Sequence, residues 1–320
     1  MKKKILVCGA TGFIGRNIAE YFSKNNNYEV IGVHNKRQIY ECSNLRWVKA
    51  DLTKIDDIER VIKGVDIIIQ AAATTTGFKD VVLRPYIHVT DNAVINSLLF
   101  RAAFEKKVKH VLFFSCTVML QTSDRTQTET DYDANSELQP RYFGIANTKL
   151  YIEKMCDFYS RIGETKFTAI RHTNIYGPHD KFDLEKSHVF GATITKVLSA
   201  KDGKVSVWGT GEEARDLLYI DDLISFVEKA IENQKSPYGL YNCGYGSAIS
   251  IKTLVEKIIV SSGKKLKIEH DLSQPTIKTS LSLDCSKAKI ELNWEPKTSL
   301  DDGIDKTITW WREIFSPSSE

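Results

Sequence analysis

Residues 4–15, KILVCGATGFIG, decide the fold of this chain. KILVC has the short apolar run of a buried strand, and residues 15–24 have the pattern of a helix. Between the two, glycine is needed where the chain turns tightly, where the backbone approaches a pyrophosphate, and where helix and strand pack closely. The amino terminus of the helix offers N–H groups and a partial positive charge to the phosphates. The stretch therefore predicts a dinucleotide site made of Gly9, Thr11, Gly12, Phe13, Ile14 and Gly15.

Outward from this stretch, apolar runs alternate with amphipathic segments through the first half of the chain. Such alternation is typical of βα units and of a parallel sheet with helices on both faces. We predict strands at residues 4–8, 29–34, 66–71, 108–115 and 167–172, and helices at residues 15–24, 92–107 and 149–162. The predicted fold is α/β, with a doubly wound Rossmann domain at residues 1–172. The chain is expected to return to this domain at about residues 217–244. A smaller α/β substrate-binding lobe is predicted at residues 173–216 and 245–320.

The composition is that of an ordinary globular protein. Among 320 residues, 27% are charged and the net charge is +3, too small a surplus to indicate binding of nucleic acid. No apolar run approaches the ~18 residues that cross a bilayer, and the apolar part of the opening MKKKILVC is too short for a signal peptide. The six cysteines are scattered, without a Cys/His cluster. We therefore expect free thiols, no metal site and a cytoplasmic location.

The segment after the second predicted strand bears on the choice of cofactor. A carboxylate there would accept the ribose 2′-hydroxyl of NAD(H), but the chain has Asn35, Lys36 and Arg37. The two cations suit a 2′-phosphate. NADP(H) is therefore favoured and NAD(H) is the alternative, although a solvated basic loop would have the same sequence.

Two further segments fit the same cofactor. Asp51 and Leu52 follow a short apolar run and fit a loop around the adenine ring. Ala71, Ala72 and Ala73 end a predicted strand, and their small side chains suit a backbone that passes close to the cofactor.

Several short motifs stand in a fixed order along the chain. They are the GxxGxxG spacing of residues 9–15, the alanines at 71–73 and NIYGP at residues 174–178. Together they resemble the extended short-chain dehydrogenase/reductase family, and the resemblance covers nearly the whole chain. SHV at 187–189 and VWGTG at 207–211 look most like the GDP-fucose synthases and other reductases of nucleotide-4-keto-6-deoxysugars. The resemblance implies an NAD(P)-dependent oxidoreductase of activated-sugar biosynthesis. It also implies a homodimer that pairs the two long helices predicted above.

The family's chemistry uses a tyrosine and a lysine four residues later on one helix, and this sequence departs from that pattern. If Thr148 and Lys149 match the family, Ile145 stands at the tyrosine position. If residues 143–147 (FGIAN) match it, both working groups are lost. We prefer the first match, because Tyr142 then lies two helical turns before Lys149 on the same face. The resemblance then implies that Lys149 binds the nicotinamide ribose and supports Tyr142 as proton donor. The alternative is that Tyr142 only packs.

A serine or threonine at a strand end is the third group of this chemistry. Ser115 and Thr117 lie on the same side of the predicted strand because strand side chains alternate, and either hydroxyl is a candidate to bond the substrate oxygen. Cys116 faces the opposite way and is expected to be buried. His188 matches the histidine that GDP-fucose synthases use for epimerisation, but their cysteine falls on Thr117 or Val118, so the epimerising pair is incomplete. A structural or phosphate-binding His188 is the other interpretation.

On the substrate side, Asn174 is expected to contact the sugar diphosphate and Arg215 its phosphate oxygens, with Lys278 as a second cation. The leading hypothesis is a reductase that converts a nucleotide-diphosphate 4-keto-6-deoxyhexose to the 4-hydroxy sugar. Val118 and Met119 stand where 4,6-dehydratases need an Asp–Glu pair, which argues against dehydration. The alternatives are a nucleotide-sugar 4-epimerase and a dinucleotide-binding protein without catalytic activity.

Overall fold

The computed structural model describes residues 2–74, 84–184, 187–273 and 280–315. The described strands are β1 Lys3–Cys8, β2 Tyr28–His34, β3 Leu45–Lys49, β4 Ile67–Gln70, β5 His110–Phe114, β6 Lys166–His172, β7 Asn174–Tyr176, β8 Lys204–Trp208, β9 Ala214–Tyr219, β10 Tyr238–Cys243, β11 Ala248–Ser250 and β12 Lys267–Asp271. The described α-helices are α1 Phe13–Ser23, α2 Ile55–Val61, α3 Thr90–Glu105, α4 Phe143–Ile162, α5 Val189–Ser199, α6 Ile220–Asn233, α7 Ile251–Ser262, α8 Ser286–Leu292 and α9 Leu300–Phe315. Short 3-10 turns lie at Pro85–His88 and Pro140–Tyr142.

Seven parallel strands form the central sheet, in the order β10-β6-β5-β4-β1-β2-β3. Residues 5–8 of β1, in the middle of the sheet, are completely buried, as expected of a strand covered on both faces. The strand order reverses at β1, with β2 on one side and β4 on the other. Ligands of such sheets bind outside the carboxyl ends of the strands at this point. The predicted doubly wound α/β fold is confirmed.

Helices cover both faces of this sheet. One apolar core contains Phe22 of α1 and Phe226 of α6, and the other contains Phe100 of α3 and Ile152 of α4. The two cores lie on opposite faces because side chains alternate along each strand. The helices thus clamp the sheet from both sides and hold its carboxyl ends at fixed positions.

Two small sheets complete the described fold, with strand orders β11-β9-β7 and β12-β8. Helix α9 packs against β7 so closely that a Cβ at Gly303 would lie 2.1 Å from the Tyr176 hydroxyl. Strand β10 follows β7, β8 and β9 in sequence and supplies the seventh strand of the large sheet. The predicted division into two lobes stays a prediction. Within the described residues, no helix combines the length and apolar composition needed to cross a membrane.

Three elements before residue 172 differ from the sequence prediction, namely α4, whose start differs, and β3 and α2, which were not predicted. Helix α4 begins at Phe143 rather than at residue 149, because the 3-10 turn Pro140–Tyr142 leads directly into it. Its first turns contain Gly144 and Asn147, which have low helix propensity and hide the periodic pattern. Strand β3 was not predicted; it is the edge strand of the sheet, and its charged residues interrupt the apolar run.

Candidate active site

A continuous cleft of about 620 Å³ crosses the carboxyl ends of the central strands. It runs from the loops after β2 and β3, over the glycine loop before α1 and past the end of β4, to α4 and the start of α5. The predicted site residues that line it are Gly9, Thr11, Gly12, Phe13, Ile14, Gly15, Asn35, Lys36, Arg37, Asp51, Leu52, Ala71, Ala72, Ala73, Lys149 and His188. Five other predicted residues lie outside its lining, namely Ser115, Thr117, Tyr142, Asn174 and Arg215.

The glycine loop packs tightly against neighbouring backbone, at positions where a side chain would not fit. Gly9 has a φ of +75°, and a Cβ there would lie 2.8 Å from Cα of Ala72. A Cβ at Gly15 would lie 2.2 Å from the Gly9 carbonyl oxygen. Gly12 precedes α1, and its N–H donates to the Gly9 carbonyl at 2.9 Å. The N–H groups of the first turn of α1 have no partner within the helix and point toward the cleft, which suits a pyrophosphate.

The loops after β2 and β3 form the far end of the cleft. Lys36 and Arg37 are exposed, and Arg37 Nη1 donates to the Thr11 carbonyl at 3.4 Å, which brings the cation to the glycine loop. The Asp51 carboxylate accepts from the Thr53 N–H at 3.1 Å and from its hydroxyl at 2.7 Å. These hydrogen bonds lower the pKa of Asp51, so the carboxylate stays ionised and fixes its loop.

Three buried amides fix the alanine segment after β4, and sequence reasoning missed them. Gln70 Nε2 donates to Asn96 Oδ1 at 3.1 Å and to the Ala72 carbonyl at 3.2 Å. Asn92 Oδ1 accepts from the Thr74 N–H at 2.9 Å. The available signal was the pair Asn92 and Asn96, four residues apart on a helix whose neighbouring positions are apolar. Such buried amides are retained where they are fully hydrogen-bonded.

Lys149 lies on α4 and reaches the end of β5. Its Nζ donates to the Phe114 carbonyl at 2.7 Å and lies 4.7 Å from the centroid of the Phe113 ring. Burial lowers the pKa of Lys149, with Cys116 and Glu153 acting in the opposite direction. Cys116 is half-buried near this ammonium rather than fully buried as predicted.

Ser115 is turned into the core rather than toward the cleft. Its side chain is only 1% exposed, and its hydroxyl donates to Glu153 Oε1 at 2.6 Å. Glu153 also accepts two hydrogen bonds from Arg171, at 3.0 and 2.7 Å, within a buried ion pair. The Ser115 hydroxyl is therefore committed to this network, and of the two candidate hydroxyls only that of half-buried Thr117 remains for the substrate oxygen.

The cations whose charges act on Tyr142 are Arg215 and Arg141, and Lys149 is not among them. Tyr142 ends the 3-10 turn before α4, so the run from Tyr142 to Lys149 is not wholly α-helical and the two-turn argument weakens. Burial raises the pKa of Tyr142, while Arg215 and Arg141 lower it in part. The hydroxyl is thus not held as a tyrosinate by Lys149.

Arg215 and Asn174 stand on neighbouring strands of the small sheet, β9 and β7. Burial lowers the pKa of the Arg215 guanidinium, and Tyr142 and Glu213 offset this in part. The Asn174 amide donates to the Asp216 carbonyl at 3.3 Å. Lys278, predicted as a second cation, lies outside the described residues.

Three residues that sequence reasoning missed line the cleft near Lys149 and His188: His172, Asp180 and Lys181. Burial lowers the pKa of His172 to about 4 and raises that of Asp180 to about 7. The available signals were the position of His172 at the end of a predicted strand and that of Asp180 directly after the NIYGP motif.

The family model described as the NAD dependent epimerase/dehydratase family matches residues 5–244. The chain is 28% identical to the GDP-L-colitose synthase of Yersinia pseudotuberculosis over 96% of this chain and 97% of that protein. It is also 28% identical to a GDP-L-fucose synthase of Sinorhizobium fredii, with 95% and 94% covered.

Among solved structures, the UDP-glucuronic acid 4-epimerase from Bacillus cereus, in complex with UDP-glucuronic acid and NAD, matches with a TM-score of 0.83. The two chains are 23% identical, and the match covers 98% of this chain and 100% of that one. At this level of identity the similarity shows the fold.

Proposed function

The chain belongs to the NAD dependent epimerase/dehydratase family, and from this premise we propose that it reduces the C4 ketone of a nucleotide-diphosphate 4-keto-6-deoxyhexose to a hydroxyl. The family consists of NAD(P)-dependent enzymes of the extended short-chain dehydrogenase/reductase type. The observation that carries the proposal is one cleft that joins the glycine loop to Lys149 and His188. The similarity to a GDP-L-colitose synthase and a GDP-L-fucose synthase over nearly their whole length supports the same reaction class.

The residues present fit a nicotinamide dinucleotide, because Gly9 and Gly15 let the loop pack tightly against its own backbone and Gly12 leaves the space before α1 free of a side chain. When bound, that cofactor supplies the hydride that C4 accepts. Lys149, held at the end of β5 by the Phe114 carbonyl, binds the nicotinamide ribose in this proposal. Arg215 and Asn174, which lie outside the cleft lining on neighbouring strands of the small sheet, hold the sugar diphosphate in this proposal.

Two finer properties belong to the same proposal. The exposed cations Lys36 and Arg37 at the cleft, with no acid at that strand end, support NADP(H) over NAD(H). All six cysteines are free thiols, which supports a reducing compartment and hence the cytoplasm. The role proposed is in activated-sugar and polysaccharide biosynthesis, with the protein acting as a homodimer.

A substrate screen tests the reaction directly. The purified protein is mixed with NADPH and, in turn, with GDP-, dTDP-, CDP- and UDP-4-keto-6-deoxysugars, and absorbance of the reduced nicotinamide is followed. We expect stoichiometric loss of NADPH with at least one substrate and formation of the 4-hydroxy sugar. No loss with any member of the panel would refute the reductase.

The second candidate is a nucleotide-sugar 4-epimerase, favoured by the structural match to the Bacillus cereus enzyme. An epimerase returns the hydride to its substrate, so it would interconvert UDP-hexoses with no net change in absorbance. Chromatography of UDP-sugars incubated with the protein separates this outcome from the first. A protein without catalytic activity would bind the cofactor and change neither signal.

A further inference from the structure

The inner end of the cleft holds a cluster of titratable side chains that come from four separate elements. Lys149 lies on α4, His172 ends β6, Asp180 and Lys181 follow β7, and His188 precedes α5. Burial lowers the pKa values of His172 and His188 and raises that of Asp180. In addition, Lys149 and His188 lower the pKa of His172, and Lys181 lowers that of His188 and partly offsets the rise at Asp180.

Within this cluster, Asp180 has one carboxylate oxygen without a partner. Its Oδ1 accepts from the Lys181 N–H at 2.7 Å, whereas its Oδ2 is buried and has no hydrogen-bond partner among the described residues. Burying a carboxylate oxygen in this way costs free energy unless the group is protonated or meets a ligand. A catalytic role is one of the reasons for which a protein keeps a buried polar atom without a hydrogen-bond partner.

The segment that carries Asp180 is held firmly from outside. His179 adopts a φ of +68°, its ring lies 5.0 Å from that of Trp310, and its Nε2 lies 3.7 Å from Glu20 of α1. The Phe182 ring lies 5.6 Å from the same Trp310. The orientation of Asp180 is therefore set by contacts with α1 and α9.

The reduction needs an acid, and four candidate positions do not supply one, which leaves Asp180 and His188 in the cleft lining and Thr117 outside it. Ile145, one helical turn before Lys149 at the family's tyrosine position, has no exchangeable proton. Tyr142 lies outside the cleft lining, and Ser115 donates to Glu153. His172 has a pKa of about 4 and carries no acidic proton at neutral pH.

We propose that Asp180 is the proton donor to the C4 oxygen of the substrate. The proposal rests on the reductase function proposed above. As hydride adds to C4, the carbonyl π bond breaks and its electron pair moves to the oxygen, which takes the proton of the Asp180 carboxyl group. Asp180 is left as a carboxylate and regains a proton from water between turnovers. Its pKa of about 7, raised by burial, keeps a useful fraction protonated at neutral pH.

The first test compares Asp180→Asn with Asp183→Asn, the same chemical change at an exposed carboxylate three residues away. We expect Asp180→Asn to bind NADPH with unchanged affinity in a fluorescence titration and to lower kcat by roughly 10²–10⁴-fold, the usual share of a positioned acid. The control should keep the parent rate. Parent-like turnover of Asp180→Asn would overturn the assignment and leave the reductase intact, whereas a parent that reduces nothing would refute the function itself.

A pH profile separates a donor from a structural role. For the parent, kcat should fall as pH rises through about 7, because Asp180 loses its proton there. Lys181, His188, His172 and Lys149 line the same cleft, and the midpoint is set by burial, with Lys181 acting in the opposite direction. In Asp180→Asn this fall should vanish from the residual rate, and in His188→Gln it should persist. The reverse pattern would assign the proton to His188 and overturn the proposal.

Thermal unfolding gives a readout that needs no substrate. The folded-state pKa of Asp180 lies above its unfolded value of 3.8, so burial of the charged carboxylate costs stability fully above about pH 7, and the cost fades as pH falls toward 4. Asp180→Asn should therefore unfold at a higher temperature than the parent at pH 8, with a smaller difference at pH 5. A variant that is less stable than the parent at both pH values would show that the carboxylate has a structural partner, and the proposal would fail.

Discussion

The three glycines of the phosphate loop have different roles at the scale of single residues. Gly9 and Gly15 are required by the fold, since a Cβ at either would meet backbone atoms at 2.8 and 2.2 Å. Gly12 is different, because its Cβ would meet the Gly9 carbonyl at 3.3 Å, a tight contact that a small shift relieves. The space beyond Gly12 belongs to the ligand.

Gly12→Val should therefore abolish dinucleotide binding while the protein still folds. The valine methyl groups would occupy the space that the phosphates need before α1. Equilibrium titration with NADPH measures the affinity, and circular dichroism verifies the fold. Gly12→Ala serves as the graded control and should weaken binding less. Unchanged affinity of the valine variant would place the pyrophosphate elsewhere.

Lys36 and Arg37 decide the cofactor preference in our proposal. Replacing both with Ala should cost about 1–3 kcal/mol of binding free energy for NADPH and little for NADH, which is the range for charge-assisted hydrogen bonds. Lys24→Ala/Lys63→Ala removes two exposed cations outside the cleft lining and controls for net charge. Equal affinity of the parent for both cofactors would contradict the preference.

Tyr142 can be tested as a substrate ligand, since the charge of Arg215 acts on its hydroxyl. Tyr142→Phe should raise KM for the nucleotide sugar by about 2- to 150-fold, corresponding to the loss of about 0.5–3 kcal/mol from one hydrogen bond. The value of kcat should change little, and Tyr21→Phe on α1 should change neither constant. A fall of roughly 10²-fold or more in kcat at constant KM would instead make Tyr142 the proton donor.

The glycines, the basic loop and Lys149 could be found from sequence because each is defined by its immediate neighbours. The roles of Ser115 and Tyr142 could not, because their partners are remote in the chain. Glu153 lies 38 positions after Ser115, and no local pattern reveals that the serine turns inward. Asp180 escaped notice for the same reason, since its burial arises from elements that converge only in the fold.

At the scale of elements, one buried network ties β5, α4 and β6 together. Ser115 follows β5, Glu153 lies on α4 and Arg171 lies on β6. A buried ion pair of this kind depends on the hydrogen bonds that satisfy its remaining oxygens. The network thus fixes α4 against the sheet and with it the position of Lys149 in the cleft.

Ser115→Ala should therefore act on stability rather than on ligand binding. Loss of a hydrogen bond to a buried carboxylate is expected to lower the free energy of unfolding by about 1–3 kcal/mol, as measured by chemical denaturation. Ser160→Ala on α4 removes a bond to a backbone carbonyl and should cost less. If Ser115→Ala keeps the parent stability but loses turnover, the hydroxyl serves the substrate after all.

At the scale of the whole molecule, helix α4 presents apolar side chains to solvent along one face. Phe143, Tyr151, Phe158 and Ile162 are all about half exposed or more, and their spacing of eight, seven and four residues keeps them on one stripe. Exposed apolar stripes of this kind mark interaction surfaces. The stripe supports the proposed homodimer through α3 and α4.

Phe158→Glu should shift the protein toward the monomer, because a charge in an apolar interface must be desolvated without a partner. Sedimentation velocity at micromolar concentration measures the change. Val260→Glu places the same charge at an apolar helix position that is 80% exposed on α7 and should leave the dimer intact. A parent protein that sediments as a monomer would contradict the dimer from the outset.

The overall topology was predictable as far as β6, since apolar runs and helical segments alternate regularly to that point. The rest of the topology was not predictable, because β10 joins the sheet after several strands of the small sheets. The six residues of β10 carry no pattern that predicts pairing with β6. Pairing between segments distant in sequence is decided by the collapsed chain and not by local pattern.

The late position of β10 has a consequence for synthesis on the ribosome. Until residues 238–243 emerge, β6 is the open edge of a nearly complete sheet, with its outer backbone groups unpaired. Thr168 on that strand also lacks Gln234, to which its hydroxyl later donates at 2.5 Å. Open edges pair readily with other chains. The nascent protein is thus most exposed to aggregation over the interval in which β7, β8, β9 and α6 are being translated, and chaperone demand should be concentrated there.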